Sequence, residues 1–218
     1  MNVAVVDLGL GNLASVQQAL QRAGGSPQLV SDPSALEEAA RIVLPGVAAF
    51  GLGMERVARF RDALARALAR NVPVLGICLG MQLLFEEGEE DGVRPGLGFL
   101  PGRVTLLPAT VQVPHIGWQQ LKSTAPSPLL DHVPGHGLGK AAGQGSGQER
   151  GTRPHWAYFA NSYRCEAPPE VTQAIAEHGD LQIVAVVQRG SLYGVQHHPE
   201  KSAEDGQALL ARFLGLPS

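Results

Sequence analysis

The sequence predicts an α/β protein with a doubly wound, mostly parallel sheet that is extended by antiparallel strands in its second half. In the first half, short apolar runs alternate with segments of helical period, which is the pattern of strand–helix units feeding a parallel sheet. In the second half, strand-like runs follow one another without helices between them, which favours antiparallel pairing. We expect all 218 residues to form one domain.

The composition excludes several classes of protein. Apolar residues make up 44% of the chain and charged residues 17%, which is typical of a globular fold. The formal charge of -3 does not favour binding to nucleic acid or to an anionic membrane. The longest apolar run, residues 72–81, is far shorter than the roughly 20 residues that span a bilayer. Asp7 interrupts the apolar N-terminus, which argues against a signal peptide, so we expect a cytoplasmic protein.

The elements of the first half follow from apolar spacing. Strands are predicted at residues 3–6, 29–30, 42–44 and 74–77. Leu13, Val16 and Leu20 share one helical face, and that helix should stop at the two glycines that follow Ala23. Asp32 before a proline is typical of a helix start. A long helix is predicted from apolar residues at helical spacing, namely Met54, Val57, Phe60, Leu64 and Leu68.

The second half gives five strand-like runs and one helix. The strands are predicted at residues 104–107, 156–159, 171–176, 181–187 and 191–195, and the final helix at about 203–214. Residues 134–152 are rich in glycine and contain almost nothing to bury. We therefore predict that they form a surface insertion without chemistry of its own.

Residues 76–80 read Gly-Ile-Cys-Leu-Gly, where the fourth strand runs into a helix expected to begin near Gly80 or Met81. The flanking glycines allow the tight, strained turn of a nucleophile elbow with Cys78 at its tip. The next N–H then points at a developing oxyanion, and the helix N-terminus favours the thiolate. A lone cysteine is more often a buried structural residue, and we expect that role for Cys165. The chain has no Cys-x-x-Cys, so neither a zinc ribbon nor a disulfide framework is predicted.

A general base and its orienting partner are predicted at His198-Pro199-Glu200. On an extended segment the first and third side chains point to the same side, so Glu200 would hold the imidazole of His198. The other ring nitrogen would then face Cys78. His197, one residue earlier, would point the opposite way. The residues thus predict a Cys-His-Glu triad.

Two motifs carry a family resemblance. Residues 76–82 and 194–202 resemble the nucleophile and histidine motifs of the class I (triad-type) glutamine amidotransferases, and segments 7–13, 44–47, 113–118 and 158–163 resemble the glutaminase subunits of imidazole glycerol phosphate synthase. The resemblance implies a flavodoxin-like fold and hydrolysis of L-glutamine to glutamate and ammonia through a thioester on Cys78, without a metal or cofactor. It also implies a heterodimer with a barrel-shaped cyclase subunit. That partner would use the ammonia to form imidazole glycerol phosphate and an aminoimidazole carboxamide ribotide in histidine biosynthesis.

The same resemblance implies roles for further residues. The oxyanion would be held by the N–H of Leu79 and by one N–H from the loop of Gly46, Val47 and Ala48. Glutamine would be surrounded by Gln82, Glu90, Asn161, Ser162 and Tyr163. The cyclase would be contacted by Asn12, Trp118, Tyr158 and Lys201. The sequence departs from the family pattern at Ala48, Asn161 and His197, where glycine, histidine and an aromatic residue such as phenylalanine are usual.

Other interpretations of the sequence remain open. The chain could be the glutaminase subunit of another synthase, or a thiol hydrolase. Gly9, Gly11 and Ala14 also fit the dinucleotide-binding pattern Gly-x-Gly-x-x-Ala. Against this, Asp7 would place negative charge beside a pyrophosphate. A metal site of His155, His197 and His198 matches no familiar ligand spacing, so none is predicted.

Overall fold

The computed structural model describes residues 1–130 and 155–217, so the Gly-rich stretch predicted as an insertion lies outside the described residues. The strands are β1 (Asn2–Val6), β2 (Ser26–Val30), β3 (Arg41–Gly46), β4 (Val74–Cys78), β5 (Glu87–Gly88), β6 (Arg94–Pro95), β7 (Arg103–Leu106), β8 (His115–Ser123), β9 (His155–Asn161), β10 (Tyr163–Glu166), β11 (Thr172–His178), β12 (Leu181–Arg189) and β13 (Leu192–Val195). The helices are α1 (Leu13–Arg22), α2 (Phe50–Val57), α3 (Arg61–Ala69), α4 (Leu79–Gln82) and α5 (Ala203–Gly215).

Within these residues the main sheet has nine strands in the order β2-β1-β3-β4-β13-β12-β11-β8-β9. The first five strands are parallel, and each later pair is antiparallel. The predicted fold class is confirmed. The expectation that every late strand pairs antiparallel is wrong for β13, which lies parallel to β4 because its chain returns to the middle of the sheet. It is also wrong for β7, which lies parallel to β5 in a second sheet.

The two faces of the sheet are covered by different helices, because successive side chains of a strand point to opposite faces. Val3 and Val5 pack in one apolar cluster with residues of α1 and α5. Ala4 and Val6 pack in the other cluster with residues of α2 and α3. The parallel strands β3 and β4 are buried throughout, as strands covered on both faces must be.

A second sheet in the described part of the chain has the order β10-β7-β5-β6. The predicted strand at 104–107 corresponds to β7 and lies in this sheet rather than in the main one. Strands β5, β6, β8 and β10 were not predicted, because none of them is a continuous apolar run. No helix in the described ranges is long and apolar enough to cross a membrane.

Two predicted helices differ from the structure. The long helix through Met54 and Leu68 is instead α2 and α3, joined by a 3₁₀ turn at Ala58–Phe60. The helix predicted after Asp32 is a 3₁₀ turn of four residues, although Asp32 does accept a hydrogen bond from the N–H of Ser34 at its start. For α2 and α3, apolar spacing predicted the buried face correctly. It did not reveal the 3₁₀ turn between the two helices, because Phe60 in that turn is buried on the same side.

Candidate active site

Cys78 ends β4 at the carboxyl edge of the parallel sheet. Its backbone has φ 53° and ψ -111°, a conformation that costs a non-glycine residue free energy and is typical of functional turns. The side chain is buried, with 6% of its surface exposed, and α4 begins at the next residue. The strained strand-to-helix turn predicted from the sequence is therefore present. The helix starts slightly earlier than predicted and is only four residues long.

The two glycines around this turn are required by contacts with neighbouring backbone. A Cβ atom on Gly80 would lie 1.7 Å from the carbonyl oxygen of Leu44 in β3. A Cβ atom on Gly76 would lie 2.7 Å from the backbone nitrogen of Met81. Both distances are far shorter than a van der Waals contact, so only glycine lets the elbow close against β3.

His198 and Glu200 are brought together directly. Nδ1 of His198 lies 2.8 Å from Oε1 of Glu200, and both side chains are almost fully buried. The segment is not extended as predicted, since Pro199–Lys201 forms a 3₁₀ turn after an extended His198. The 3₁₀ turn places the carboxylate of Glu200 next to the imidazole of His198, so the predicted contact forms although the predicted extended backbone does not.

The backbone of His198 is held from both sides. Its N–H donates to the carbonyl oxygen of Tyr158 at 2.9 Å, and its carbonyl oxygen accepts from Oγ of Ser202 at 2.6 Å. The same Oγ accepts from the N–H of Tyr158 at 2.9 Å. Sequence reasoning assigned no role to Ser202, although it ends the histidine motif. It is 1% exposed and ties the imidazole-bearing turn to β9.

The surroundings of His198 favour its protonated form. Burial alone would lower the pKa of His198, but hydrogen bonds to Cys78 and Glu200 and the negative charge of both groups raise it to about 9. One imidazole therefore interacts with both Cys78 and Glu200. Such an arrangement can supply a nucleophile, a proton carrier and an orienting carboxylate.

His197 has a different environment from its neighbour. It is 1% exposed and packs against the ring of Phe159, with 5.7 Å between the ring centroids. Burial and the nearby charge of His198 lower the pKa of His197 to about 3, so its ring is neutral at physiological pH. It occupies the apolar position at which the sequence pattern expected an aromatic residue.

A cavity of about 200 Å³ opens beside Cys78. This is smaller than the pockets of roughly 300–1,000 Å³ that hold drug-sized ligands, and it suits a ligand the size of one amino acid. Every residue that the resemblance assigned to glutamine lines it, namely Gln82, Glu90, Asn161, Ser162 and Tyr163. Burial and the charges of Glu90 and Asp91 raise the pKa of Tyr163, which keeps its phenol neutral.

The expected oxyanion loop lies next to the nucleophile. Gly46 is the register partner of Cys78 across β3 and β4, and Val47, Ala48 and Leu79 line the same cavity. Glu90 contacts the segment just after this loop, because its carboxylate accepts a hydrogen bond from the N–H of Phe50, the first residue of α2. Glu90 thus connects the pocket to the segment that follows the loop.

Three of the four residues assigned to the cyclase share one surface. The rings of Trp118 and Tyr158 meet edge to face at 5.9 Å, and Nζ of Lys201 lies 5.9 Å from the centre of the Tyr158 ring. Trp118 is 46% exposed, so it is not a core residue. Asn12 is exposed at the N-cap of α1, where its side chain accepts from the N–H of Ser15.

In the glycine-containing loop after β1, a backbone N–H that could bind a phosphate is already hydrogen-bonded to a side chain of the protein. The carboxylate of Asp7 accepts from the N–H of Gly9 at 2.7 Å, which places a negative charge where a dinucleotide would put its pyrophosphate. A Cβ atom on Gly11 would lie 3.3 Å from the backbone nitrogen of Val47. The glycine at position 11 therefore serves close packing against the oxyanion loop. In the described ranges, no cluster of three or more His, Cys, Asp or Glu side chains could hold a metal ion.

The chain is similar in sequence to proteins of a known family. The family model of the class-I glutamine amidotransferases matches residues 4–215. The chain belongs to this family. Subunit HisH of imidazole glycerol phosphate synthase from Symbiobacterium thermophilum is 42% identical over 214 residues, 97% of this chain and 92% of that protein. The HisH subunit from Xylella fastidiosa strain Temecula1 is 46% identical over 220 residues, 98% of this chain and 97% of that protein.

The fold of this glutamine amidotransferase also matches solved structures. A crystal structure of a glutamine amidotransferase superposes with a TM-score of 0.69 at 20% identity, covering 98% of this chain and 97% of that one. At that identity the match concerns the fold alone. The family resemblance found in the sequence motifs is confirmed, and by sequence the chain groups with the HisH subunits.

Proposed function

We propose that Cys78, His198 and Glu200 form the catalytic triad with which this amidotransferase hydrolyses L-glutamine to glutamate and ammonia. The observation that carries the proposal is the single imidazole that interacts with both a strained, buried cysteine and a buried carboxylate. The adjoining cavity of about 200 Å³ offers room for one amino acid. No cofactor is needed, since a thiolate and a proton carrier suffice for acyl transfer.

The proposed reaction begins with the Cys78 thiolate paired with the His198 imidazolium. The thiolate attacks the side-chain amide carbon, and the oxyanion is stabilised by the N–H of Leu79 and by one N–H from Gly46 or Val47. His198 then gives its proton to the departing ammonia. During hydrolysis of the thioester, His198 takes a proton from the attacking water. The Cys78 thiolate then leaves, and glutamate is released. Glu200 orients the ring and stabilises its positive charge throughout.

The pocket residues would recognise the substrate at its charged end. Glu90 offers a carboxylate to the α-ammonium group of glutamine, and Gln82, Asn161, Ser162 and Tyr163 supply polar groups around the rest. Asn161 stands where the family pattern has histidine. Its side-chain amide donates to the carbonyl oxygen of Tyr163 at 3.0 Å, so it holds the pocket strand in shape.

The ammonia would be passed to a cyclase subunit. The relatives at 42% and 46% identity are named as subunits of imidazole glycerol phosphate synthase, and this supports the same assembly for our chain rather than a sister synthase. The surface of Trp118, Tyr158 and Lys201 supplies the aromatic and charged groups typical of an interface. The cytoplasmic location expected from the sequence belongs to the same proposal.

The test is the substitution Cys78→Ala in the complex with the cyclase. Glutamine-dependent formation of imidazole glycerol phosphate should be abolished, because the covalent route needs the sulfur. Synthesis driven by added ammonium salt should persist, since the cyclase is untouched. A diazo analogue of glutamine should label Cys78 and leave Cys165 unmodified. Labelling of Cys165, or full glutamine-dependent activity in the variant, would refute the assignment.

A further inference from the structure

A buried chain of hydrogen bonds runs from the pocket to the sulfur of Cys78, and the mechanism above does not use it. It begins at the backbone carbonyl oxygen of Tyr163, which accepts from Nε2 of Gln82 at 3.3 Å. Nε2 of Gln82 also donates to Oε1 of Gln196 at 3.1 Å. Nε2 of Gln196 then donates to Sγ of Cys78 at 3.8 Å. Gln196 itself is completely buried.

The direction of this chain is fixed at its first atom. A backbone carbonyl can only accept a hydrogen bond, so the amino group of Gln82 must face Tyr163. The same amino group reaches Gln196, where it needs an oxygen. The oxygen of Gln196 therefore faces Gln82, and its amino group faces Cys78. The hydrogen-bond partners of the buried amide therefore determine its orientation.

Cys165 reinforces this orientation. Its Sγ lies 3.7 Å from the same Oε1 of Gln196. Burial raises the pKa of the Cys165 thiol well above its usual range, so the group keeps its proton and acts as a donor. The oxygen of Gln196 is thus held by two donors, one from Gln82 and one from Cys165. Turning the amide over would set its amino group against that of Gln82 and would give up the hydrogen bond from Cys165.

We propose that Gln196 is a further catalytic residue of the glutaminase proposed above, and that its amino group stabilises the Cys78 thiolate by a hydrogen bond. The inference rests on that proposed function. A hydrogen bond to a charged acceptor is about twice as strong as one to a neutral acceptor, so Gln196 favours the thiolate over the thiol and over the thioester. It would therefore assist both attack by the thiolate and its departure when the thioester is hydrolysed.

This role differs from that of His198. The imidazolium of His198 gives up its proton during the reaction, whereas an amide keeps its hydrogens at every step. The donor from Gln196 is therefore present when His198 has just become neutral. Gln82 and Cys165 act through Gln196 and are positioning residues for it, in addition to the place of Gln82 in the pocket.

The first test measures the thiolate without any substrate. The full chain is treated with iodoacetamide over a range of pH, and the modification of Cys78 is followed by peptide mass spectrometry. Gln196→Met keeps the size of the side chain and removes the donor. At neutral pH its Cys78 should react about ten- to a hundredfold more slowly, because one hydrogen bond to a charged group is lost. The profile should also move to higher pH.

The matched control is Gln173→Met. Gln173 is also a buried glutamine, 8% exposed, but it lies in β11 and not beside β4. Its substitution should leave the alkylation of Cys78 unchanged. An unchanged profile in Gln196→Met, or an equal loss in both variants, would overturn the proposal.

A second variant keeps the test decisive in case Gln196→Met does not fold. Gln196→Glu keeps nearly the same shape and the oxygen that faces Gln82 and Cys165, but it places an oxygen instead of an amino group beside Cys78. We expect it to slow alkylation at least as much as Gln196→Met. Failure of both variants to fold would assign Gln196 to core stability and would overturn the proposal.

Kinetics in the complex with the cyclase separate this inference from the proposed function. Gln196 does not line the cavity, so Gln196→Met should lower kcat for glutamine by a larger factor than it raises KM, which it can affect only through its partner Gln82. A rise in KM alone would count against the thiolate role. If the wild-type complex did not hydrolyse glutamine at all, the proposed function would fail, whereas alkylation would still decide whether Gln196 stabilises the Cys78 thiolate.

Discussion

Two adjacent histidines show how residues of one type differ when their surroundings differ. His198 is hydrogen-bonded to Glu200, and its interactions with Cys78 and Glu200 raise its pKa to about 9 despite its burial. His197 packs on Phe159, and its pKa falls to about 3. The first can hold and release a proton during a reaction. The second stays neutral and contributes to packing.

We predict that His198→Asn lowers glutamine hydrolysis in the cyclase complex by several orders of magnitude, because proton transfer to ammonia is lost. His197→Phe should retain most of the activity, since it exchanges one buried ring for another. Steady-state assays of both variants test this. Comparable losses in the two would show that the wrong histidine has been assigned.

The candidate triad could be predicted from the sequence because its signals are local. Glycines on both sides of Cys78 indicate a strained turn, and Glu200 lies two residues from His198 along the chain. Gln196 could not be assigned a role in the same way. Its contact with Cys78 joins residues 118 positions apart and exists only after the strands have paired.

At the scale of elements, the carboxyl ends of three parallel strands build the site. β3 leads into the oxyanion loop, β4 ends at Cys78, and β13 leads to His198. β8 was not predicted, because it contains Gln119, Gln120 and Lys122 among its apolar residues and exposes one face. Strand signals in a sequence are clear only where burial makes them apolar.

We predict that Gly80→Ala lowers the free energy of unfolding by at least about 3 kcal/mol, because its methyl group would overlap the backbone of Leu44. Gly215→Ala is the matched control. A Cβ atom there meets nothing within 4 Å, and the residue ends α5, so stability should be unchanged or up to about 1 kcal/mol higher. Urea unfolding of the two variants measures both effects. Equal stability would mean that the elbow is not tightly packed against β3.

At the scale of the whole molecule, opposite edges of the main sheet differ in character. The β9 edge carries the surface formed by Trp118, Tyr158 and Lys201, and the β2 edge carries an isolated exposed leucine, Leu29. Two large aromatic side chains in contact are typical anchors of an interface. We therefore expect the proposed cyclase subunit to bind at the β9 edge of the sheet rather than at the β2 edge.

We predict that Trp118→Ala weakens binding of the cyclase by about tenfold or more, as loss of an aromatic anchor does. Leu29→Ala removes an equally exposed apolar side chain at the opposite edge and should not affect binding. Titration calorimetry of both variants, with circular dichroism to verify folding, provides the measurement. Unchanged affinity in Trp118→Ala would exclude this surface as the interface.

Buried histidines also predict how stability depends on pH. Burial lowers the pKa of His115 to about 4 and that of His197 to about 3, from 6.5. Below pH 6.5 the unfolded chain binds protons that the folded chain does not, so the free energy of unfolding should fall towards acid pH. The raised pKa of His198 adds stability below pH 6.5 that is lost as pH rises through about 9.

Chemical unfolding between pH 4 and 9 tests this prediction. His115→Phe and His197→Phe should reduce the loss of stability at acid pH. His198→Asn should reduce the loss of stability at alkaline pH. Each side chain should change the slope by up to about 1.4 kcal/mol per pH unit. A wild-type stability that is flat from pH 6.5 down to 4 would contradict the neutral state of both rings.

The position of β13 determines when during folding this protein can become active. β13 lies between β4 and β12, and its residue Leu192 pairs with Val74, which precedes it by more than half of the chain. Pairing of such distant segments is slow, because a long loop must be closed before the contact is gained. The strands β1 to β4 can associate as they leave the ribosome, but His198, the base that we propose for Cys78, is not in place until β13 inserts. In the proposed mechanism, the N-terminal half alone therefore carries Cys78 without its proton carrier, and it cannot hydrolyse glutamine until the chain is almost finished.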